Sequence, residues 1–93
     1  MKFEVTATSS FKKELKIIKK RNKDLNKLKF VVDTLASGEM LNEKYKDHQL
    51  VSTSRFKNCR ECHIEPDWLL VYRYNNNELV LVLVETGSHS DLF

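Results

Sequence analysis

The fold is decided by the run Trp68-Leu69-Leu70-Val71-Tyr72-Arg73-Tyr74-Asn75-Asn76-Asn77-Glu78-Leu79-Val80-Leu81-Val82-Leu83-Val84. Residues 68–74 are rich in aromatic and β-branched side chains, which favour strands, and the three asparagines at 75–77 favour a hairpin turn. Residues 79–84 form an unbroken apolar run, which is typical of a central strand covered on both faces. The stretch therefore predicts an antiparallel hairpin in the middle of a sheet.

Two further strands are predicted before this hairpin. Residues 59–64 alternate in polarity, and residues 50–53 have the composition of a short strand. Glu65-Pro66-Asp67 is typical of a turn, because proline presets the backbone angle of a turn's second position. We expect residues 54–58 to form a polar turn and residues 39–49 a loop.

The first half of the chain predicts one strand and two helices. Residues 3–7 alternate in polarity and indicate a short first strand. Ser9 or Ser10 is expected to cap the first helix, Asp24 can cap the second, and Gly38 is a natural stop after it. Apolar side chains recur at helical spacing in both segments: Phe11, Leu15 and Ile18, then Leu25, Leu28, Val31, Val32 and Leu35.

These elements predict an α+β fold. An N-terminal strand and an antiparallel hairpin of two helices pack on a mostly antiparallel sheet, in the order β-α-α-β-β-β-β. The 93 residues fit a single domain that spans residues 1–93. No apolar run approaches the length of a membrane span, and the N-terminus lacks the apolar segment of a signal peptide. We therefore expect a cytoplasmic protein without a membrane partner.

The charge of the chain permits a polyanionic partner without requiring one. Sixteen Lys and Arg residues stand against thirteen Asp and Glu residues, which gives a net charge of +3. Basic side chains crowd residues 12–29, on the predicted helices. Such lysines are typical of a solvated helix face and equally of a surface that faces RNA.

Three histidines stand at the edges of predicted elements: His48, His63 and His89. Asp67 follows His63 closely, so a shared site is possible. Such a set suits cleavage of RNA, in which the 2′-OH attacks the neighbouring phosphate and the protein moves two protons. Histidine, with a pKa of about 6.5, performs both proton transfers near neutral pH. Trp68 can stack on a base, although a tryptophan buried in the sheet is the more common case.

Cys59-Arg60-Glu61-Cys62-His63 offers two rival interpretations. The C-x-x-C-H spacing is that of covalent haem attachment, but the segment is predicted to be a strand and no export signal precedes it. Two cysteines and a histidine also supply zinc ligands by number. Neighbouring residues of a strand point to opposite faces, however, which separates Cys62 from His63. We therefore expect two small buried thiols and no metal.

Three blocks of the chain match a known family in order and spacing. They are YKDHQL at residues 45–50, RECHIEPDWLLVY at residues 60–72 and TGSHSDLF at residues 86–93. Together they closely resemble the YafQ toxins, which belong to the RelE/ParE superfamily of bacterial type II toxin–antitoxin systems. The resemblance extends over essentially the whole chain, including the lysine-rich helix hairpin, and implies the RelE-like fold.

The resemblance also implies an activity. It is that of a ribosome-dependent mRNA interferase, which cleaves mRNA in the ribosomal A site through the 2′-OH, without metal or cofactor. The implied catalytic residues are His48, His63, Asp67 and His89. Among these we expect His89 to be the general acid, Asp67 or His63 the base or its orienting group, and His48 a phosphate contact or second proton carrier.

The resemblance further implies partners and substrate contacts. The partners are mRNA on the ribosome, with contacts to ribosomal RNA, and a cognate antitoxin in a hetero-oligomer. Trp68 and Phe93 match positions that shape the site of the family. Many relatives carry arginine just before the Thr-Gly-x-His block, where this chain has Glu85, a carboxylate that repels phosphate. We therefore expect Lys46, Arg60 or Arg73 to supply the missing cation, or the activity to be reduced.

Two alternatives stay open. A non-catalytic toxin of the same superfamily, similar to the ParE toxins that bind DNA gyrase, would need no set of histidines. A general cytosolic binding module with a basic face would leave the three matching blocks unexplained. The interferase is the function that accounts for both features.

Overall fold

The computed structural model describes residues 2–53 and 55–93. In chain order the elements are strand β1 (Glu4–Ala7), helices α1 (Ser9–Lys20) and α2 (Leu25–Ala36), strands β2 (His48–Gln49), β3 (Arg60–Glu65), β4 (Trp68–Asn75) and β5 (Val80–Gly87), and a short helix α3 (His89–Leu92). A 3₁₀ turn, Glu43–Tyr45, precedes β2. The predicted order of strands and long helices is confirmed, and α3 replaces the tail that the sequence indicated.

The strands of the described chain form one sheet in the spatial order β1-β5-β4-β3-β2. β1 lies parallel to β5, with Glu4 opposite Val80, whereas the other neighbours are antiparallel. The two helices make the parallel pairing possible, because they return the chain across one face of the sheet. β4 lies at the centre, which confirms that the hairpin of residues 68–84 organises the sheet.

The ends of the two long helices follow from capping groups. Thr8, not Ser9 or Ser10, caps α1, because its hydroxyl accepts a hydrogen bond from the amide of Phe11. The serines instead form the first turn of the helix. Asp24 caps α2 as predicted, and the chain leaves that helix through Gly38, whose φ of 82° suits a residue without a β-carbon.

The edge strand beside β3 lies earlier than the sequence predicted. The prediction of a strand at residues 50–53 is wrong. His48 pairs with Glu61 and Gln49 with Arg60, and the pairing with β3 ends at Gln49. The amide of Leu50 still donates to the carbonyl of Cys59, but the Val51 side chain is exposed and packs on no core. The predicted turn at 54–58 is described from Arg55 onward, and Ser54 lies outside the described residues.

Apolar side chains cover both faces of the sheet. One core lies between the sheet and α1 and α2, and includes Phe11, Ile18, Leu35, Trp68 and Tyr72. A smaller core on the opposite face joins Phe56, Cys59, Leu69, Val71, Val84 and Leu92. Burial on both faces explains why β4 and β5 are apolar at successive positions.

The cysteines separate onto the two faces. Cys62 belongs to the core under the helices and Cys59 to the smaller core, and both are buried free thiols. Burial raises the pKa of each thiol, so both stay protonated at neutral pH. The interpretation as two buried thiols is confirmed. Within residues 2–53 and 55–93, no helix combines the length and apolar character needed to cross a membrane.

Candidate active site

Two of the histidines lie close to the same buried carboxylate at the edge of the sheet. His48 on β2 lies directly opposite Glu61 on β3, and His63 follows Glu61 by two residues, so all three side chains share one face. Oε1 of Glu61 is 3.7 Å from Nε2 of His48 and 3.5 Å from Nε2 of His63. The Glu61 side chain is only 7% exposed. The pair of imidazoles therefore shares one counter-charge.

The remaining ring nitrogens of these histidines face the backbone. Nδ1 of His48 lies 2.7 Å from the carbonyl oxygen of Lys46, and Nδ1 of His63 lies 3.3 Å from that of Pro66. A carbonyl oxygen only accepts hydrogen bonds, so each Nδ1 carries the donated proton. In the neutral imidazoles Nε2 then holds the free lone pair, which is the arrangement a proton acceptor needs.

The third histidine is held by a carboxylate. Oδ1 of Asp67 accepts from the backbone amide of His89 at 2.9 Å and from its Nδ1 at 2.7 Å. These bonds, the backbone one foremost, hold the pKa of Asp67 below its ordinary value, so Asp67 is ionised at neutral pH. The rings of His89 and His63 lie 5.5 Å apart. The structure thus brings all four predicted catalytic residues together.

The position of His89 depends on how α3 begins. Ser88 caps the helix through a reciprocal pair of bonds with Asp91, and Arg21 at the end of α1 binds the same carboxylate at 2.7 Å. That ion pair is the main cause of the low pKa of Asp91. A β-carbon at Gly87 would stand 3.0 Å from the Asp91 side chain, so glycine is the residue that fits.

Trp68 supports the site from the core, and the prediction that it contacts substrate is wrong. Its side chain is 1% exposed and packs under the helices, where no base reaches it. Its indole N–H donates to Oγ1 of Thr86 at 2.9 Å, and that hydroxyl donates to the carbonyl of Leu69 at 2.7 Å. These buried bonds join the start of β4, beside Asp67, to the end of β5, beside His89.

Two of the predicted substrate contacts lie at the site. Lys46 adopts a left-handed conformation, with φ of 50°, which places its carbonyl beside His48 and leaves its side chain exposed. Phe93 is 61% exposed and packs edge-on against Phe56, with ring centroids 5.7 Å apart. Both side chains are available to a ligand.

The two predicted arginines are not at the site. Arg60 points to the helix face of β3, opposite to Glu61 and His63, and its Nε donates to Asp47 at 3.3 Å. Arg73 is exposed, but it lies four residues along β4 from Leu69, the partner of His63, which is roughly 13 Å. Neither guanidinium contacts the histidines, and the prediction that one of them replaces the family's arginine stays a prediction.

Glu85 is neutralised by an arginine that the sequence did not indicate. The carboxylate of Glu85 is buried, and Nη2 of Arg55 binds it at 2.6 Å, while Nη1 binds the carbonyl of Leu92 at 2.9 Å. Glu14 lies against the same carboxylate, and burial together with that contact raises the pKa of Glu14 to about 7. The negative charge at position 85 is therefore compensated within the protein.

Sequence reasoning missed two residues of the site, Glu61 and Arg55. Glu61 had a signal, because its spacing of two from His63 on a strand places both on one face. Arg55 had none, since it comes from an irregular segment whose path follows only from tertiary packing. They add to the predicted residues a buried anion and a half-exposed cation.

Fold and site together define a class: a small α+β protein that gathers three histidines with the carboxylates of Glu61 and Asp67 at one edge of a five-stranded sheet. A family model described as "Bacterial toxin of type II toxin-antitoxin system, YafQ" matches residues 3–93. The mRNA interferase toxin YafQ of Escherichia coli K12 is 35% identical over 91 residues, which cover 97% of this chain and 95% of that protein. The chain therefore belongs to the YafQ family of toxins of bacterial type II toxin–antitoxin systems.

Solved structures agree with this assignment. A metal-bound toxin from Helicobacter pylori is 45% identical, with a TM-score of 0.89 over 98% of this chain and 99% of that one. YafQ in the E. coli DinJ–YafQ complex is 37% identical, with a TM-score of 0.87 over 98% of both chains. The α+β architecture of β1 to α3 is thus that of the family.

Proposed function

We propose that this protein is an mRNA interferase that cleaves message in the ribosomal A site through the 2′-OH, without metal. The observation that carries the proposal is the different acceptor at Nδ1 of the imidazoles, a backbone carbonyl for His48 and His63 and a carboxylate for His89. Nε2 of His48 and His63 is free of a proton in the neutral rings, because Nδ1 of each faces a carbonyl. Nδ1 of His89 faces the ionised carboxylate of Asp67, so in the imidazolium form Nδ1–H donates to Asp67 while Nε2 carries the second proton and points away from that bond.

In the proposed reaction, Nε2 of His63 or His48 accepts the proton of the 2′-OH. The 2′-oxygen forms a bond to the adjacent phosphorus, and the bond from phosphorus to the 5′-oxygen breaks. Nε2–H of His89 donates its proton to that leaving oxygen. The products are a 2′,3′-cyclic phosphate and a 5′-hydroxyl, and Glu61 and Asp67 stabilise the two imidazolium states.

Positive charge for the phosphate comes from two side chains in this proposal. Lys46 is exposed beside His48, and Arg55 is half-exposed above Glu85 on the same face as Glu61. Part of the charge of Arg55 is already offset by Glu85. The electrostatic stabilisation of the phosphorane is accordingly weaker than a free arginine at position 85 would give.

We relate the proposed dependence on the ribosome to how open the site is. The side chains of His89 and Asp67 are 54% and 67% exposed, and the groove beside them is broad and open to solvent. A ribosome supplies the positioned substrate, and exposed lysines of α1, such as Lys12, Lys13 and Lys16, offer a basic surface for ribosomal RNA.

Family membership also supports a protein partner. The E. coli relative was solved in a complex with DinJ, described as a toxin–antitoxin complex. We expect a cognate antitoxin to form a hetero-oligomer with this chain and to suppress its activity in the bacterial cytoplasm. An exposed site such as that of His89 is one that a partner can cover.

Cell-free translation tests the proposal. Purified protein is treated with a chelator and dialysed before addition, because the H. pylori relative is metal-bound and a carried-over ion must be removed. We expect mRNA cuts in phase with codons, mapped by primer extension, and cuts in ribosome-bound message only. His89→Ala should lower the rate by about 10²–10⁴-fold, the usual contribution of a general acid. Ser90→Ala, on the same short helix, is the control and should cut like the native protein.

Other results would overturn particular parts of the proposal. Arrested translation with intact message would exclude cleavage and favour a binding toxin. Cuts that return only on addition of a metal ion would refute metal independence. Equal cutting of free RNA and ribosome-bound RNA would refute the dependence on the ribosome.

A further inference from the structure

A broad open groove runs from the histidines toward α2. Its volume is about 820 Å³, and its lining includes His63 and His89 at the site together with Phe30, Tyr45 and Lys46. The groove is therefore continuous with the residues proposed to cleave RNA. It lies against the helix side of the site, away from Arg55 and Phe93.

An aromatic pair forms part of this groove. Phe30, on α2, is 57% exposed, and its ring centroid lies 6.3 Å from that of the half-buried Tyr45 at an angle of 32°. Phe30 shares α2 with Val31 and Leu35, which are almost completely buried, so it stands outside the stripe that packs on the sheet. A large aromatic side chain left in water beside a polar site is typical of a binding surface.

The charges around the aromatic pair favour an anionic ligand. Lys27, Lys44 and Lys46 line the groove, with Asp24 and Glu65 as its carboxylates. Glu65 is already bound by Lys27 at 2.8 Å and by Lys23, just outside the lining, at 2.9 Å. Asp24 is engaged in capping α2. The uncompensated charge of the groove is thus positive, from Lys44 and Lys46.

We propose that this groove holds a nucleobase next to the cleaved phosphodiester, with the base stacked on Phe30 and Tyr45 and its phosphate near Lys46. This inference rests on the proposed function and adds a substrate subsite to it. Aromatic faces stack on any base, but a purine offers the larger surface. The groove therefore predicts faster cleavage where a purine occupies that position.

The first experiment measures cleavage on ribosomes programmed with messages that differ only in the bases of the A-site codon. Phe30→Ser should lower the cutting rate by at least tenfold on purine-containing codons and reduce the difference between purine and pyrimidine. Met40→Ser is the matched control, because Met40 is 94% exposed and does not line the groove, and its rates should equal those of the native protein. Circular dichroism melts verify that both variants fold.

The second experiment measures binding without cleavage. The ¹⁵N-labelled native protein is titrated with a trinucleotide RNA whose 2′-oxygens are methylated, which prevents attack on the phosphate. Amide shifts should concentrate at Phe30, Tyr45 and Lys46, and should be absent for Phe30→Ser. Shifts confined to α1 or to the Arg73 end of the sheet would overturn the groove assignment.

The outcomes separate this inference from the proposed function. If the native protein makes no cuts, the proposed function fails, and the titration alone decides whether the groove binds RNA. If the native protein cuts and Phe30→Ser cuts equally well with the same base preference, the groove inference is wrong and the function stands. If Phe30→Ser cuts normally but no longer co-purifies with its antitoxin, the groove serves the antitoxin and the inference is overturned.

Discussion

Thr86→Val is the substitution that tests how the core holds the site. Thr86 and Trp68 are both 1% exposed, and the Thr86 hydroxyl accepts from the indole of Trp68 and donates to the carbonyl of Leu69. Valine has nearly the same shape, so no cavity opens. The change removes the Thr86 hydroxyl, which is both an acceptor and a donor in the core, while it leaves the packing intact.

The expected cost follows from the two bonds. The orphaned indole N–H costs about 1–3 kcal/mol, and the lost bond to the Leu69 carbonyl costs about 0.5–1.5 kcal/mol. Burying a methyl group in place of the hydroxyl recovers about 1 kcal/mol. We expect Thr86→Val to lower the free energy of unfolding by about 2 kcal/mol, within a range of roughly 0.5–3.5 kcal/mol, which is a large part of the ~5–15 kcal/mol typical of a domain.

Urea denaturation followed by tryptophan fluorescence measures this difference. Thr86→Ser is the matched control, because it keeps the hydroxyl and loses one methyl group, at a cost of about 1 kcal/mol. A stability of Thr86→Val within 0.5 kcal/mol of the native protein, or equal losses in the two variants, would refute the assignment of Trp68 to this buried network. It would reopen a role for Trp68 at the substrate.

Three further predictions concern charges. Glu61→Gln should slow mRNA cleavage roughly tenfold or more in the ribosome assay, because it removes a buried negative charge within 4 Å of His48 and His63, the histidines proposed as base. An unchanged rate would contradict the proposed role of Glu61. Asp67→Asn keeps an oxygen acceptor but not the charge beside Nδ1 of His89, so the rate of mRNA cleavage should fall roughly tenfold or more; a rate equal to that of the native protein would show that Asp67 does not support His89. The folded-state pKa of Glu14, about 7, exceeds its ordinary 4.5, so the folded protein binds more protons between these values and loses stability as pH rises from 4.5 through 7. In Glu14→Gln this loss, measured as the urea midpoint at pH 5 and 8, should be smaller; an equal loss would assign it to another group, such as Glu85.

Most of the fold was accessible from the sequence because its strongest patterns coincide with burial. The apolar runs of residues 68–74 and 79–84 became β4 and β5, which are covered on both faces. The edge strand was misplaced because a two-residue strand is too short for any periodicity, and its pairing with Glu61 is decided by β3. Thr8 caps α1 in place of the neighbouring serines because its hydroxyl also donates to the distant carbonyl of Val84.

The site was predicted less evenly than the fold. The four residues predicted to be catalytic came from the resemblance and the chemistry of histidine, and the structure places them close together. Their hydrogen-bond partners did not follow from spacing, since His89 and Asp67 are joined across a separation of 22 residues. Arg60 lies away from Glu61 and His63 because alternation along a strand decides which face a cation reaches, whereas Arg73 lies roughly 13 Å along β4 from Leu69, and a count of basic residues shows neither.

The carboxylates of the site also differ in their exposure to solvent, and this difference bears on the proposed dependence on the ribosome. The histidines proposed as base lie on Glu61, which is almost entirely buried, whereas the proposed acid His89 forms an open pair with Asp67. An ion pair in contact with water is screened, and its attraction strengthens when a partner excludes that water. On the proposed mechanism, Asp67 therefore holds the His89 ring most firmly once RNA and ribosome cover the pair. The open pair beside a buried carboxylate is thus a physical reason to expect faster cleavage of message on the ribosome than of free RNA.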